Sequence, residues 1–423
     1  MHEFLPGLGS LKLPTMWRVR QEFDRTCLSN VRTVVQQQFE RRDVQSALSP
    51  GSTVAVAVGS RGIADLPVVV KTLCDQLKSL DVKVFIIPSM GSHGGATALG
   101  QKKMLAQMGI SEKSIGVPIR SSMEAVEVGR VRSSVGREIP IYMDKLAHDQ
   151  ADTVIPVVRV KPHTGFKGPV ESGICKMLTI GMGKHVGCAL LHRQGFKMFD
   201  QLIPDAAKVV LGTGKISFVL AIVENAYEQV AVLEAVMPAK AISREKELLV
   251  EAKKRLARLL LSEIDVLVVD RFGKNISGVG MDANVTGRGE LGMALAGFEG
   301  PEISRIVVLA LTSKTNGNAH GIGLADIVTE KVCDQINQRT TWTNTLTAGS
   351  LACGRIPIAL PTEEQAIMAA ASCVPGVQPE EAKIVRIHHT LALTEIAVSE
   401  SLKQIVDQTD QCEVVGKWNG KWK

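Results

Sequence analysis

Short apolar, β-branched runs alternate with longer segments of helical periodicity along most of this sequence. Apolar runs that lack polar alternation are typical of strands buried on both faces, as in a parallel sheet covered by helices. The alternation therefore predicts an α/β protein with open, mainly parallel sheets. We predict strands at Thr53–Val58, Lys83–Pro88, Thr153–Val160, Phe218–Val223, Asp265–Val269, Ile306–Leu311, Ile356–Leu360 and Ile384–His388.

The length of the chain indicates two domains, because 423 residues exceed one ordinary hydrophobic core. We expect a first α/β domain at 1–262, a second at 263–400, and a tail at 401–423 that returns to the first. The active site is expected in the cleft between the domains. Segment Val117–Asp144 differs from its neighbours because its short alternating runs are interrupted by glycine and proline. This pattern predicts an antiparallel insertion. Helices are predicted at Leu66–Lys78, Ala98–Met108, Glu245–Leu261, Ala325–Asn337 and Glu363–Ala371.

Composition argues against several classes of function. The formal net charge is +6, and the basic residues are interspersed with acids, so we expect no nucleic-acid ligand. The sequence has no uninterrupted apolar stretch of about 18 residues, so we expect no membrane span. It also shows no secretory signal at its start. The eight cysteines are scattered without a CxxC pair, which predicts reduced thiols in a cytoplasmic protein.

Glycine-rich loops follow two of the predicted strands, at the strand ends where parallel sheets bind ligands. In the first, 59–62 (GSRG), the guanidinium of Arg61 would bind a carboxylate or phosphate beside the N–H groups of a helix start. A tight βα turn with a solvent-facing arginine explains this loop equally well. In the second, 91–95 (GSHGG), His93 could give and take protons near neutral pH. The alternative is a histidine that only decorates a turn.

The densest group of chemically active residues lies between Arg159 and His192. Three histidines and four lysines stand there among glycines and apolar residues, within 34 positions. A solvated charge run would be less apolar, so we expect these residues to surround a ligand. Their spacing matches neither HExxH nor another common zinc signature. The residues alone predict an anionic ligand and leave open whether a metal accompanies it.

In their order and spacing, these three segments resemble the lactate racemase family, whose members carry a nickel-pincer nucleotide. An arginine after a strand is followed about thirty residues later by a Gly-x-His loop. A second histidine, a lysine, and a third histidine sixteen positions after that lysine come next, and the last interval here runs from Lys176 to His192. The resemblance extends from about Gly51 to about residue 400 and is clearest between Gly59 and His192.

The resemblance implies a cofactor and the residues that hold it. In the family, the cofactor is a pyridinium-3,5-bisthiocarboxylate mononucleotide whose sulfur-bearing arms clamp nickel. One arm is joined to a lysine as a thioamide, and a histidine completes the coordination of the metal. The resemblance therefore implies covalent attachment at Lys176, nickel coordination by His192, and cofactor contacts from Gly59 and Ser60. It also implies enzymes that assemble the cofactor as partners.

The resemblance implies a reaction as well. His93 and His163 would be the acid/base pair, and Arg61 would bind the carboxylate of a small anionic 2-hydroxyacid. A racemase or epimerase of this kind inverts the hydroxyl-bearing C2 by transferring hydride to the cofactor while a base takes the hydroxyl proton. Two bases serve the two enantiomers, whose hydroxyl groups point in different directions.

The second domain departs from the lactate-specific members, which have an aromatic residue and a lysine near the substrate. The corresponding stretch is 282–290 (DANVTGRGE). Thr286 falls at the aromatic position, Glu290 falls near the lysine position, and Arg288 is a substitute cation. We therefore predict that Thr286 and Arg288 bind substrate in a roomier, more hydrogen-bonding pocket. The predicted substrate is a longer polyhydroxylated acid such as an aldonate.

Two other classes of protein remain as alternatives. A nicotinamide-dependent dehydrogenase would need a strand–GxGxxG–helix unit with a later acidic residue, and the sequence has none. A two-lobed, non-catalytic protein that binds sugar acids or phosphate would keep the arginine and the glycines. It would need neither Lys176 nor the pair of His93 and His163.

Overall fold

The computed structural model describes residues 12–60, 62–132, 136–290, 295 and 297–422, and these fall into two compact units. We call residues 24–256 the N-terminal unit. The C-terminal unit consists of residues 257–423 together with residues 1–23, as far as these are described.

Strands and helices alternate along both units. The strands are β1 (Met16–Gln21), β2 (Thr53–Val58), β3 (Lys83–Pro88), β4 (Ala125–Arg132), β5 (Glu138–Asp144), β6 (Thr153–Arg159), β7 (Val219–Glu224), β8 (Val230–Val236), β9 (Glu263–Val269), β10 (Glu302–Val308), β11 (Ile327–Thr329), β12 (Ile358–Leu360), β13 (Ile384–Ile387), β14 (Glu395–Ser399) and β15 (Cys412–Lys417). The helices are α1 (Val31–Glu40), α2 (Arg42–Ser46), α3 (Leu66–Ser79), α4 (Ala98–Gln107), α5 (Glu112–Ile115), α6 (Lys145–Gln150), α7 (Ile174–Lys176), α8 (Lys184–His192), α9 (Phe199–Gly212), α10 (Ala241–Arg255), α11 (Ala283–Thr286), α12 (Glu330–Gln335), α13 (Gln338–Ala348), α14 (Glu363–Ser372) and α15 (Glu400–Asp407). A π-helical segment, Met177–Gly181, directly follows α7.

The N-terminal unit is built on a five-stranded sheet in the order β3-β2-β6-β7-β8. The first four strands are parallel, and β8 runs antiparallel to β7. Along β2, Val54, Val56 and Val58 pack into the apolar core on one face, and Ala55 and Ala57 pack into the core on the other. Because both faces are buried, the strands of this sheet lack polar alternation.

A β-hairpin packs beside this sheet and is connected to it by a buried ion pair. Strands β4 and β5 pair antiparallel in a sheet of their own, which confirms the insertion predicted within Val117–Asp144. At the end of β5, Oδ1 of Asp144 accepts two main-chain N–H groups of α6. Oδ2 of Asp144 lies 2.6 Å from Nζ of Lys184, the first residue of α8, and both side chains are fully buried. The same Nζ donates to the carbonyl oxygen of Pro88 at 2.6 Å, so the pair links the hairpin, α8 and the end of β3.

The C-terminal unit contains an eight-stranded sheet in the order β12-β11-β10-β9-β13-β14-β1-β15. The strands from β12 to β13 are parallel, and β14, β1 and β15 are added antiparallel. Along β9, Leu267 and Val269 pack into one core and Val266 and Val268 into another. The two sheets confirm the prediction of an α/β protein with open, mainly parallel sheets.

The observed division differs from the expected domains 1–262, 263–400 and 401–423. Strand β1, near the start of the chain, lies in the sheet of the C-terminal unit between β14 and β15. Strand β15, from the tail, pairs with β1 in that same sheet. The physical reason is that an unpaired edge of β14 would expose a row of main-chain hydrogen-bonding groups, which β1 and then β15 cover.

The helices depart from the prediction in two places. The segment Ala325–Asn337, predicted as one helix, forms β11 and then the short α12, because its β-branched run Ile327–Thr329 pairs with β10 and β12. The helix predicted from Glu245 to Leu261 is α10, which begins earlier and ends earlier.

No described helix is by itself long and apolar enough to span a membrane. The helical segments Ile174–Gly181 and Lys184–His192 meet the criteria of length and composition only as a pair, and that pair is bent by 111°.

Candidate active site

A pocket opens at the carboxyl ends of the adjacent parallel strands β3, β2 and β6, where ligands of open α/β sheets bind. It encloses about 900 Å³ of empty space, part of which is open to solvent. The structure thus brings together five residues that the sequence predicted from three separate segments. These residues are Gly59, Ser60, His93, His163 and Lys176. Arg61 lies outside the described residues.

The loop after β2 contributes Gly59 and Ser60 to the pocket wall. A Cβ atom on Gly59 would lie 3.1 Å from Cε of Met177, and one on Gly181 would lie 2.8 Å from its Sδ. Glycine at both positions therefore lets the π-helical segment pack closely against the strand ends. Such π-helical turns occur frequently at functional sites.

The loop after β3 carries His93, whose side chain is exposed and lines the pocket. Gly94 in this loop has φ +67°, and a Cβ there would lie 2.6 Å from the main-chain nitrogen of Gln101. The fully buried side chain of Gln101, on α4, donates to the carbonyl oxygens of Gly91 (2.9 Å) and His93 (3.2 Å). Gln101 thus positions the histidine loop, a role that the sequence did not predict.

The loop after β6 carries His163, which is 8% exposed. The main-chain N–H of His163 donates to Oε2 of Glu171 at 2.7 Å, and the other carboxylate oxygen of Glu171 lies 2.7 Å from Nζ of Lys253. The carboxylate of Glu171 is fully buried. The ring of His163 lies against that of Phe166, with centroids 4.5 Å apart. These contacts hold the ring in one orientation at the pocket wall.

Lys176 lies at the last position of α7 and lines the pocket. Glu245, on α10, supports the start of this helix because its Oε2 accepts the N–H of Cys175 at 2.7 Å. A Cβ on Gly173 would lie 2.4 Å from Oε1 of Glu245, so only glycine leaves room for that carboxyl group. Neither contact could be predicted from the sequence, where Glu245 looks like part of a solvated, charged helix.

Burial raises the pKa of Glu245 from its usual 4.5 to about 7. Because the folded state holds this proton more tightly than the unfolded state, the group's contribution to stability is complete below pH 4.5 and is lost as the pH rises through 7. At 1.36 kcal/mol for each pKa unit, the loss is about 3 kcal/mol. Glu245→Gln should therefore lose less stability between pH 5 and pH 8 than the wild type does, as measured by urea unfolding.

The control for this prediction is Glu247→Gln on the same helix, whose carboxylate is 64% exposed and pairs with Arg244. This variant should keep the pH dependence of the wild type. If Glu245→Gln also keeps it, the buried carboxyl group is not the source of that dependence.

His192 is the last residue of α8, and its Nδ1 lies 2.7 Å from the carbonyl oxygen of Cys188. A carbonyl only accepts, so Nδ1 carries a proton and the neutral ring keeps its lone pair on Nε2. His192 does not line the pocket itself, but the Phe196 ring contacts both His192 (5.8 Å) and His163 (5.9 Å).

Cys188 contacts the ring of His192 and changes its pKa. Its Sγ lies 3.5 Å from Nδ1 of His192 and 3.7 Å from the hydroxyl of Ser92. Burial lowers the pKa of His192, but the hydrogen bonds and charge of Cys188 outweigh it and raise that pKa above its usual value. The same pairing outweighs burial at the thiol and lowers the pKa of Cys188.

The pocket lining is cationic. Arg159, Lys161 and Lys176 contribute to it, and no Asp or Glu is among the described residues that line it. Glu224, which does not line the pocket, forms an ion pair with Arg159 and accepts the N–H of Ala64 at 2.6 Å. The lining therefore favours an anionic ligand.

The two substrate-binding residues predicted from the second half of the sequence lie in the C-terminal unit. Thr286 ends α11 and is buried, and its hydroxyl accepts the N–H of Arg288 at 3.4 Å. The guanidinium of Arg288 forms an ion pair with Asp326 at 2.7 Å and donates to the carbonyl oxygens of Leu324 and Ser304. These contacts give Arg288 a structural role inside its unit, and substrate binding by both residues stays a prediction.

Within the part of the chain that the structure describes, no group of three or more His, Cys, Asp or Glu side chains is arranged to hold a metal ion.

Neither a protein-family model nor a curated protein sequence matches this chain. Solved structures do match. A structural-genomics target protein from Thermotoga maritima aligns over 86% of this chain and 96% of its own, with a TM-score of 0.54 and 14% identity. The lactate racemase apoprotein from Thermoanaerobacterium thermosaccharolyticum aligns over 88% of this chain and 94% of its own, with a TM-score of 0.54 and 15% identity. The chain therefore shares the fold of a lactate racemase.

Proposed function

We propose that this protein is a racemase or epimerase that inverts C2 of a 2-hydroxyacid and uses a nickel-pincer nucleotide as its cofactor. The observation that carries the proposal is the convergence of His93, His163 and Lys176 on one pocket. They come from three segments far apart in the sequence. The shared fold with a lactate racemase supports the same assignment.

The residues present fit this cofactor. Gly59 and Gly181 let Met177 pack closely against the strand ends at the pocket wall. Lys176 lines the same pocket, where its amine would form a thioamide link. His192 offers the lone pair of Nε2 to a metal, because Nδ1 is bound to a carbonyl oxygen. The cationic lining suits the phosphate of a nucleotide.

When bound, the cofactor supplies an acceptor for the hydrogen at C2 together with its electron pair. The protein's own residues bind and orient the substrate and move its hydroxyl proton. His93 and His163 both place imidazole groups at the pocket, where they can contact the hydroxyl group. Arg159 and Lys161 attract the carboxylate, while Met177 and Ile180 provide an apolar wall.

The proposed substrate is a polyhydroxylated acid such as an aldonate. A threonine at position 286 takes less space than an aromatic residue and adds a hydroxyl group. This proposal rests on the sequence of the C-terminal unit, and the substrate assays described in the Discussion test it.

Intact-protein mass and nickel content test the proposed cofactor, on protein made with and without the cofactor-assembly enzymes. We expect nickel near one per chain and a mass increase that maps to Lys176, only when those enzymes are present. Lys176→Arg should abolish the mass increase, whereas Lys167→Arg, on the preceding loop, should keep it.

Nickel without added mass would mean that the cofactor is held through His192 without a covalent link. Protein with neither nickel nor added mass, from cells that assemble the cofactor, would contradict the proposal. The two-lobed binding protein would then be the better explanation.

A further inference from the structure

The hydrogen bond at the ring of His163 fixes where its proton lies. The main-chain N–H of Gly165 donates to Nδ1 of His163 at 2.9 Å. A nitrogen that accepts a hydrogen bond presents its lone pair, so Nδ1 is unprotonated. The neutral ring therefore carries its single proton on Nε2.

The surroundings of His163 oppose the other arrangement. A proton on Nδ1 would point at the N–H of Gly165 from 2.9 Å. The loop cannot easily turn to relieve this contact, because buried Glu171 holds the N–H of His163 and Phe166 packs on the ring. To accept a proton on Nε2, the ring would first need its proton on Nδ1, so the same contact opposes a role as base.

We propose that His163 acts as a neutral Nε2–H donor to the C2 oxygen of the substrate, and that His93 is the base of the pair. This inference rests on the proposed function and divides the two histidines into different roles. The hydroxyl proton passes to His93 and returns from it, so the proton count balances. His163 keeps its proton throughout and stabilises the oxygen as it gains carbonyl character.

The His93 loop is suited to the complementary role. Gln101 holds it through main-chain carbonyl oxygens, and the imidazole is exposed at the pocket. With a single base, the planar 2-keto acid must present its other face before the C2 hydrogen returns.

Nitrogen-15 NMR of the histidine-labelled protein, without cofactor, tests the proton position directly. At neutral pH we expect Nδ1 of His163 to resonate as an unprotonated nitrogen and Nε2 as a protonated one. His163→Gln identifies the signals by their loss. A protonated Nδ1 would overturn the proposal, whatever reaction the protein catalyses.

Turnover of the cofactor-loaded enzyme tests the roles. Glutamine keeps an N–H donor but cannot act as a base, so His163→Gln should retain kcat within about tenfold of the wild type, whereas His163→Ala should lose about 100-fold. The matched variant His93→Gln should lose about 1,000-fold, because no base remains.

Equal losses in His163→Gln and His93→Gln would overturn the division of roles. A wild-type enzyme that turns over no 2-hydroxyacid would instead contradict the proposed function. In that case the NMR measurement still decides which nitrogen of His163 carries the proton.

Discussion

Lys184→Met is expected to lower the free energy of unfolding by about 3–5 kcal/mol, because it leaves the carboxylate of Asp144 buried without its partner. The carbonyl oxygen of Pro88 loses its donor as well. Methionine has a similar length and keeps most of the packing of the aliphatic stem, so the loss reports mainly on the charge. Urea unfolding followed by circular dichroism measures it.

Two controls distinguish the loss of this buried ion pair from the general effect of replacing a lysine with methionine. Lys102→Met breaks the ion pair of Lys102 with Glu112, in which both side chains are about half exposed. Because water screens such a pair, this variant should lower the free energy of unfolding far less than Lys184→Met does. The double variant Lys184→Met/Asp144→Asn leaves no buried charge and keeps an acceptor for the N–H groups of α6. It should therefore be more stable than Lys184→Met alone, and a double variant no more stable than the single one would contradict this account.

His93→Ala should lower kcat for C2 epimerisation by about 100- to 10,000-fold, the range expected when a general base is removed. The side chain of His93 is exposed, so its removal should leave the urea midpoint unchanged. Turnover of gluconate and of lactate by the cofactor-loaded enzyme measures the effect. The ratio of the two wild-type rates also tests the proposed aldonate substrate, which fast lactate turnover with inert gluconate would contradict.

The same variant, His93→Ala, distinguishes the proposed enzyme from the alternative of a non-catalytic binding protein. A non-catalytic protein would show no turnover in the wild type, and His93→Ala would keep much of its affinity for the sugar acid. Calorimetric titration with gluconate measures that affinity. Loss of turnover with retained binding is the outcome that the proposed function requires.

The sequence predicted strands correctly where the β propensity of a segment agrees with its buried position in a sheet. Strands β2 and β3 have the bounds that their buried β-branched runs predicted. Strands β1, β8, β14 and β15, which the sequence did not predict, lie at the antiparallel edges of the two sheets. Arginines interrupt the apolar run of β1. The run Ile327–Thr329 forms β11, but three residues are too few to show a period of two, so the sequence does not distinguish it from the helical pattern that follows.

The sequence also predicted the loops that line the pocket, because glycines, histidines and a lysine stand out directly after strands. It could not predict the residues behind them. Gln101, Glu171 and Glu245 are buried polar side chains that orient the loops, yet in the sequence each looks like an exposed polar residue. Glu245 acts on Cys175 from 70 positions away, and only tertiary packing brings the two together.

The ion pair of Asp144 and Lys184 has a consequence for shortening or recombining this protein. The β4–β5 hairpin lies outside the five-stranded sheet. From the topology alone, it could be taken for an insertion that can be deleted without affecting the sheet. Its last residue is the counterion of the lysine from which the helix bearing His192 begins. A truncated or chimeric chain without the hairpin would need Lys184 replaced at the same time, because the excision alone leaves this lysine without its counterion.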